Sequence, residues 1–411
     1  MKIARFFIKS VFSILLVFTV LVFGTVIFAQ SSIDIDYKVK KGDIFNVDTL
    51  IPVTAVYEGA RVTDTSLSTV GEEYDVDLKL FGIIPVKSVN VQVVDEMYVA
   101  VLGTPFGMKI YTDGVLVSDI TEIKTDGGLQ NPAKQAGIKK GDYIISVNGE
   151  KLYTNEDLSE KVEKSEGKEM ELLIRRNGKT IKKRLTAVLS SETESYKIGI
   201  WIKDSSAGIG TLTFYSPAVN VICGLGHGIC DDETEELLNI NSGELVSAEI
   251  IDVKKGRAGS PGQLEGKFNL NSLGEISLNS DCGVYSYLKG KRSFDNYTEI
   301  ALKQEVKSGK GQILCTVEGE TPKLYDCRIT VRSSAYLSKT QNLVITVTDE
   351  ELLSKTGGIV QGMSGGPILQ NGKLIGAVTH VLVDDSSKGY GIFAENMLET
   401  ARSVEQSKEA G

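Results

Sequence analysis

A glycine-rich turn in the C-terminal half constrains this chain more than any other feature. Residues 362–367 read G-M-S-G-G-P and are followed by the apolar pair Ile368–Leu369. Glycines let the backbone turn sharply around Ser364 and lift its hydroxyl out of the chain. The N–H groups of Gly362 and Ser364 can then receive an oxyanion when that hydroxyl attacks a carbonyl group. A glycine-rich β-turn with an incidental serine is the alternative, but the second glycine, the proline and the apolar strand favour a nucleophile.

A serine nucleophile needs a base, and the chain has two histidines, His227 and His380. His227 stands between two glycines, directly after an apolar run that begins near Val219. A histidine held at the end of a strand upstream of such a turn is suited to general-base catalysis. We therefore predict that His227 is the base, although a lone histidine is more often structural. Its long separation from Ser364 lets one barrel carry the base and another the nucleophile.

The same region offers three metal-ligand side chains, Cys223, His227 and Cys230. A structural zinc site needs four ligands, and the other cysteines lie more than fifty residues away, so we predict neither a metal nor a cofactor. Five cysteines at irregular spacing do not form a disulfide framework. Cys315 and Cys327 either pair across a hairpin or remain two buried thiols.

Length and charge set the broad class of the protein. Its 411 residues are enough for two or three domains. A net charge of −9 argues against a nucleic-acid groove and against an anionic membrane surface as a partner of the body. From about residue 190 onward, short apolar runs separated by Gly, Asn and Asp predict an antiparallel barrel or a pair of barrels. A closing helix is predicted over Ala394–Val404.

The N-terminus carries a targeting signal. Three basic residues precede an uncharged apolar run from Ser10 to Ala29, which in helical form is long enough to cross the hydrocarbon core. The positive flank places the rest of the chain outside the cytoplasm. Ala29 can end a cleaved signal peptide, but the bulky Ile27 favours a retained signal-anchor within residues 1–31. Residues 32–100 are then expected to form a β-rich spacer module.

Residues 101–188 have a recognisable order of elements. A short helix that starts N-P-A at 131–133 and stops at Gly137 is followed by K-G-D-Y-I-I-S-V-N-G at 140–149. This pattern resembles a bacterial PDZ domain. Such domains bind extended peptides by adding a strand beside a helix, and the resemblance places the carboxylate-binding loop at Phe106, Gly107, Met108 and Lys109. The alternative is a groove that is filled by the same chain and serves only packing.

The order of these parts carries a second resemblance. An export segment, a PDZ domain, G-H-G-I at 226–229 and G-M-S-G-G-P-I-L at 362–369 together resemble the SpoIVB family of signalling serine peptidases. The resemblance implies a mainly β chain in which residues 189–411 form a chymotrypsin-like double β-barrel. It also implies a catalytic triad of Ser364, His227 and Asp349.

The aspartate is the least determined member of this triad. Asp349 follows the apolar strand Leu343–Val347, where a carboxylate can point inward and fix the tautomer of the base. In other chymotrypsin-like proteases the acid lies between the base and the nucleophile, well away from the serine turn. Asp232, Asp252 and Asp281 therefore stay open as alternatives.

Two further expectations concern the surroundings of the turn. Residue 363 is methionine, where trypsin-type zymogens have an aspartate that pairs with a newly cut N-terminus. We expect that activation route to be closed, and control to come from elsewhere, such as the PDZ domain. On the strand after the turn, Thr379 and His380 are predicted to line a pocket suited to a Gln or Glu side chain.

The resemblance to the SpoIVB family also implies a biological role in endospore formation. Such a peptidase is anchored in the inner forespore membrane and cuts a membrane-bound regulator of an intramembrane protease, which triggers processing of a late sigma factor. Its PDZ domain would bind a peptide or C-terminal ligand, including one from its own chain. Two alternatives stay open: a non-catalytic PDZ scaffold with a protease-like domain, and a general quality-control protease of the envelope.

Overall fold

The computed structural model describes residues 2–47, 52–57, 60–61, 69–152, 154–176, 178–230, 237–238, 240–290, 292–294, 297–332 and 338–409. Its first element is a long apolar helix, α1 (Lys2–Ser32). The Ser10–Ser31 segment is long and apolar enough to cross a membrane, and a segment so near the N-terminus also fits a signal sequence. The end of α1 is tied to the module that follows, because Ala29 is buried there and the Gln30 amide donates to the Val86 carbonyl at 2.7 Å.

A five-stranded sheet follows the helix. Its strands are β1 (Asp36–Lys40), β2 (Val53–Tyr57), β3 (Ala60–Arg61), β4 (Glu73–Leu80) and β5 (Ile84–Val94). They are arranged in the order β1-β5-β4-β2-β3, with β1 parallel to β5. From Val89 onward, alternate residues of β5 are buried, as expected where one face of a sheet packs on a core.

Ion pairs join this sheet to the C-terminal half of the chain. Lys40 is 4% exposed, and its ammonium group pairs with Glu299 and, at 2.8 Å, with Glu305. Lys373 pairs with the same two glutamates at 3.1 and 3.0 Å. The network fixes the N-terminal sheet against the second of the two barrels described below.

The next elements include the module predicted as a PDZ domain. They are β6 (Tyr98–Val101), β7 (Pro105–Ile120), β8 (Ile123–Thr125), β9 (Gly128–Gln130), α2 (Pro132–Gln135), β10 (Tyr143–Val147), β11 (Glu150–Lys151), α3 (Asn155–Lys164), β12 (Glu169–Arg176), β13 (Lys179–Thr186), β14 (Val188–Leu189) and β15 (Tyr196–Lys197). The Asn131 side chain caps α2, which starts with Pro132. Thr154 and Asp157 form a capping box at the start of α3. Both helices cover one apolar core.

Six strands close a first barrel. Besides β7 they are β16 (Ile200–Ser216), β17 (Val221–Gly224), β18 (Ile240–Lys254), β19 (Gln263–Ser280) and β20 (Gly283–Tyr287). They pair in the ring β7-β18-β19-β20-β17-β16, and β16 pairs again with β7. Phe106, Leu212, Leu245 and Val284 are buried together in its core.

The carboxylate-binding loop predicted at Phe106, Gly107, Met108 and Lys109 is not a loop. These residues lie in β7 and pair with β16 on one side and β18 on the other, and the Phe106 ring is fully buried. The prediction is wrong because this run belongs to the barrel, through pairings distant in sequence. On the PDZ side, the strand beside α3 is instead the start of β16, where residues 200–203 pair with 116–120 of β7.

The last part of the chain closes a second barrel. Its elements are β21 (Tyr297–Glu299), a 3-10 turn (Lys303–Glu305), β22 (Gly309–Cys315), β23 (Lys323–Val331), β24 (Leu343–Val347), α4 (Glu350–Thr356), β25 (Pro367–Gln370), β26 (Lys373–Leu382), β27 (Asp385–Phe393) and α5 (Ala394–Glu409). The ring runs β22-β23-β24-β27-β26-β25. The predicted closing helix is α5, whose apolar face packs on both barrels through Met397, Leu398 and Ala401. The predicted mainly β fold with two barrels is confirmed.

Candidate active site

The serine turn, residues Gly362–Pro367, leads into β25 and lies against the first barrel. Gly362 and Gly365 have φ values of +97° and +92°, which residues with a side chain rarely adopt. A Cβ on Gly365 would lie 1.9 Å from the Thr211 carbonyl oxygen of β16. The turn can therefore approach β16 so closely only because this residue is glycine.

Two threonines of β16 hold the serine turn. The Thr211 N–H donates to the Ser364 carbonyl at 2.9 Å, and the Thr211 hydroxyl donates to the Gly362 carbonyl at 2.8 Å. The Thr213 hydroxyl donates to the Gly365 carbonyl at 2.7 Å. Both threonines are buried. The sequence offers one weak signal for them, two hydroxyl residues at alternate positions of the strand G-T-L-T-F at 210–214.

Among the described residues, the N–H groups of Gly362 and Ser364 donate to no other group of the chain. The Gln361 carbonyl accepts from an N–H group of β19 at 2.8 Å, and the Met363 carbonyl accepts from the Gly366 N–H at 2.9 Å. In a trans peptide the carbonyl and the following N–H point in opposite directions. The N–H groups of Gly362 and Ser364 therefore point away from these partners and are available to an oxyanion.

The Ser364 hydroxyl donates to the carbonyl of Thr379 in β26 at 2.7 Å. In the part of the chain that the structure describes, no hydrogen bond joins Ser364 to His227. The hydroxyl proton thus faces a backbone carbonyl, which cannot act as a base. This hydrogen bond must break before the hydroxyl can give its proton to an imidazole.

His227 follows β17 in a segment of the first barrel that packs against the second. A Cβ on Gly226 would lie 3.1 Å from the Cγ2 atom of Thr379. The His227 ring lies against the His380 ring, with centroids 4.6 Å apart. Ser364 and His227 therefore contact consecutive residues, Thr379 and His380, of one strand. The structure brings the predicted nucleophile and the predicted base to the same place.

A backbone carbonyl sets the tautomer of His227. Its Nδ1 atom lies 2.8 Å from the Gly228 carbonyl oxygen. Because a carbonyl only accepts, Nδ1 carries the proton and Nε2 is left as the proton acceptor. Burial lowers the pKa of His227, and the hydrogen bond to Gly228 opposes that shift. The His380 side chain is exposed on one side, but packing partly desolvates its ring, and this effect, together with the neighbouring His227, lowers its pKa to about 4. Both rings are therefore neutral near pH 7.

Among the described residues, the Asp349 carboxylate binds backbone N–H groups and not His227. Its carboxylate oxygens accept from the backbone N–H groups of Leu352 at 3.0 Å and Asp326 at 3.3 Å, and it is the N-cap of α4. No hydrogen bond or ion pair links it to His227 across the described ranges. This geometry does not support the predicted role of Asp349 as the acid that orients the base. The sequence D-E-E-L at 349–352 is typical of a helix start, with a capping residue and acidic residues in the first turn.

Asp281 lies in the turn between β19 and β20, which packs beside the His227 segment. A Cβ on Gly228 would lie 2.9 Å from the carbonyl oxygen that precedes Asp281, and a Cβ on Gly283 would lie 3.3 Å from the Gly226 nitrogen. The backbone on both sides of Asp281 thus meets the backbone on both sides of His227. The Asp281 side chain is exposed.

Asp252 and Asp232 are the two other aspartates left open by the sequence. Asp252 accepts from the N–H of the next residue in β18, at 2.8 Å. Asp232 lies outside the described residues.

Met363 and Thr379 both have buried side chains. Met363 packs in the apolar core of the second barrel, so the position that carries an aspartate in trypsin-type zymogens here carries an apolar anchor. The Thr379 hydroxyl donates to the Thr340 carbonyl at 2.8 Å, and the predicted contribution of Thr379 to a substrate pocket stays a prediction. His380 is exposed, and its contribution to such a pocket stays a prediction.

The five cysteines are free thiols, and Cys315 and Cys327 are both buried without a disulfide. Burial raises the pKa of both thiols to about 12, so they stay protonated at neutral pH. Cys223 is buried, whereas Cys230 is exposed. Over the described ranges, no group of three or more His, Cys, Asp and Glu side chains is placed to hold a metal ion.

Parts of the chain are similar to known families and proteins. Residues 194–398 match the SpoIVB peptidase S55 family, and residues 127–176 match a PDZ domain. The chain is similar to the regulator of sigma-W protease RasP of Bacillus subtilis, at 30% identity over 139 residues, which are 33% of this chain and 29% of that protein. The curated relatives are matched over 25% to 33% of their own length.

Two solved structures are similar to parts of the chain. The PDZ domain of the SdrC-like protein from Listeria monocytogenes is 19% identical, covers 22% of this chain and 90% of its own, and gives a TM-score of 0.19. The active form of the Rv3671c protease from M. tuberculosis is 15% identical, covers 48% of this chain and 74% of its own, and gives a TM-score of 0.26.

The S55 match contains both His227 and Ser364, and the PDZ match falls in the module that precedes it in the chain. These are the two segments whose order in the sequence carries the resemblance. The chain therefore belongs to the SpoIVB peptidase S55 family and contains a PDZ domain.

Proposed function

We propose that the protein is an exported, membrane-tethered serine endopeptidase in which Ser364 is the nucleophile and His227 the general base. One observation carries this proposal. The Thr379 carbonyl holds the Ser364 hydroxyl at 2.7 Å, and the next residue, His380, holds the His227 ring. Adjacent residues of β26 thus contact the nucleophile and the base, and we propose that a change of the Ser364 rotamer joins the two.

The proposed reaction follows the usual course of acyl transfer. Nε2 of His227 takes the Ser364 proton while Oγ bonds to the substrate carbonyl carbon. The N–H groups of Gly362 and Ser364 stabilise the oxyanion. The imidazolium then gives its proton to the leaving amine as the C–N bond breaks. A water molecule, deprotonated by the same ring, then bonds to the acyl carbon; the bond from that carbon to Ser364 Oγ breaks, and the imidazolium returns the proton to Oγ.

The substrate we propose is a membrane-bound regulator of an intramembrane protease, cut during endospore formation so that a late sigma factor is processed. The resemblance to the SpoIVB family supports this role, and the apolar helix α1 supports a position at a membrane. Narrow specificity is then expected. A general quality-control protease would instead cut unfolded proteins such as casein.

A peptide ligand of the PDZ domain is proposed to bind along the start of β16. In the described PDZ sheet, residues 200–203 pair with β7 on one side, and α3 lies next to them. Ile200 and Ile202 are half-buried, and Trp201 between them is 64% exposed. An open strand edge beside a helix is the place where PDZ domains add a peptide strand.

Labelling with a fluorophosphonate tests the chemistry. We expect an adduct on Ser364 that is lost in Ser364→Ala and retained in Ser387→Ala, a serine of β27 whose hydroxyl donates to Asp385. Folded, exported protein that forms no adduct would favour the non-catalytic PDZ scaffold. In a sporulating host, Ser364→Ala should stall sporulation while the protein accumulates normally. Sporulation that proceeds would contradict the signalling role.

A further inference from the structure

We infer that Thr211 and Thr213 are positioning residues that hold the serine turn in register with His227. The inference rests on the proposed peptidase function and adds two residues to it. Neither threonine touches the reacting atoms. Both act through the backbone of the turn, from the opposite barrel.

The two hydroxyl groups fix the backbone on both sides of the nucleophile. Thr211 binds the carbonyl before Met363, and Thr213 binds the carbonyl that follows Ser364 in the chain, that of Gly365. Fixing the Gly362 carbonyl also fixes the opposed Met363 N–H, which donates to the Val360 carbonyl at 3.1 Å. The turn therefore cannot rotate without breaking hydrogen bonds in the protein interior, where an unpaired polar group is costly.

Thr211 also binds the segment that carries the base. Its carbonyl accepts from the Leu225 N–H at 3.3 Å, two residues before His227. A single residue of β16 thus bonds the serine turn through its N–H and hydroxyl, and the His227 segment through its carbonyl. Because misplacement of a reacting group by about 1 Å can cost roughly a hundredfold in rate, this link is expected to affect the chemical step.

The test compares Thr→Val with Thr→Ser at both positions. Valine keeps the volume and removes the hydroxyl, whereas serine keeps the hydroxyl. We expect Thr211→Val and Thr213→Val to lower kcat and the rate of fluorophosphonate labelling about ten- to a hundredfold, with little change in KM. Thr211→Ser and Thr213→Ser should restore most of the rate.

Thr316→Val is the matched control. Thr316 is also buried, and its hydroxyl donates to the Gly103 carbonyl at 3.1 Å, outside the serine turn. It should show a similar loss of unfolding free energy, while the labelling rate per folded molecule stays at the wild-type value. A Val variant that does not fold is replaced by Thr→Cys, because a thiol keeps the size but is a weak donor.

The outcomes separate this inference from the proposed function. Val variants that label like Thr316→Val, or Ser variants as slow as the Val variants, overturn the positioning role. If Ser364→Ala labels as fast as the wild type, the proposed nucleophile itself is wrong. Slow Val variants with rescue by serine, in a protein whose labelling depends on Ser364, support both.

Discussion

The rings of His227 and His380 lie 4.6 Å apart, inclined at 32° to each other. They are the two histidines of the chain. Two neutral imidazoles can pack in this way, whereas a proton on one ring places a charge against a poorly solvated neighbour. The contact therefore links the protonation state of the proposed base to its surroundings.

The activity should persist below the ordinary pKa of histidine. Burial lowers the pKa of His227, so its Nε2 stays unprotonated, and able to act as a base, at pH values where a solvated histidine is charged. The acid limb of the pH profile of kcat/KM should fall below pH 6.5. A limb at or above that value would show that the ring is solvated or faces a carboxylate in the active protein.

His380 should contribute to the loss of stability in acid. Its folded pKa of about 4 lies below the ordinary value of 6.5, so the unfolded chain binds the proton more readily. The resulting stability is present above pH 6.5 and is lost as the pH falls towards 4. His380→Gln removes the histidine that titrates in this range. The free energy of unfolding measured in urea should therefore decrease less between pH 7 and pH 5 than it does in the wild type. Equal decreases would mean that the His380 ring is fully solvated in the folded protein.

Two aspartates can be compared as candidates for the acid that orients His227. Asp281→Asn tests the aspartate whose backbone lies beside His227. A fall in kcat of at least about tenfold is expected if its exposed carboxylate turns towards the base, because a carboxylate there stabilises the imidazolium. Asp349→Asn should leave both kcat and stability near the wild type, since asparagine caps a helix about as well as aspartate. Asp349→Ala should cost about 1 kcal/mol of unfolding free energy. A stable Asp349→Asn protein without activity would restore the acid implied by the family resemblance.

The local sequence identifies the proposed nucleophile and base of this site but not the threonines that hold the serine turn. Ser364 and His227 can be identified from the sequence because each lies among glycines next to an apolar strand, Ser364 before one and His227 after one, and such a pattern is complete within a few residues. Thr211 and Thr213 matter only through hydrogen bonds to residues about 150 positions away, which no local pattern encodes.

The wrong placement of the PDZ loop and the unsupported role of Asp349 have a related cause. Phe106 lies upstream of a good PDZ pattern, but its strand pairs with β16 and β18 of the first barrel. Asp349 has the spacing of a triad acid and equally the spacing of a helix N-cap. The path of the chain after β24 decides whether Asp349 is a triad acid or a helix cap, and that path depends on tertiary packing.

The ion network under the N-terminal sheet should stabilise its contact with the second barrel. Lys40→Met should lower the unfolding free energy by roughly 2–3 kcal/mol, because it leaves Glu299 and Glu305 partly buried with one lysine instead of two. Lys373→Met is the matched control and should cost less, since Lys373 is more exposed. Equal, small effects in urea titrations would mean that the network is solvated.

Binding at the PDZ domain should change the reactivity of Ser364, because one strand, β16 (Ile200–Ser216), carries both residues 200–203 and the threonines Thr211 and Thr213. Trp201 is the single tryptophan of the chain and lies on the proposed peptide edge, so its fluorescence reports binding there. Peptides with a free C-terminal carboxylate should shift this fluorescence and accelerate fluorophosphonate labelling over the same concentration range, whereas C-terminally amidated peptides should do neither. In Thr211→Val the fluorescence shift should remain and the acceleration should disappear. A fluorescence titration that leaves the labelling rate unchanged in the wild type would show that β16 does not connect the two sites.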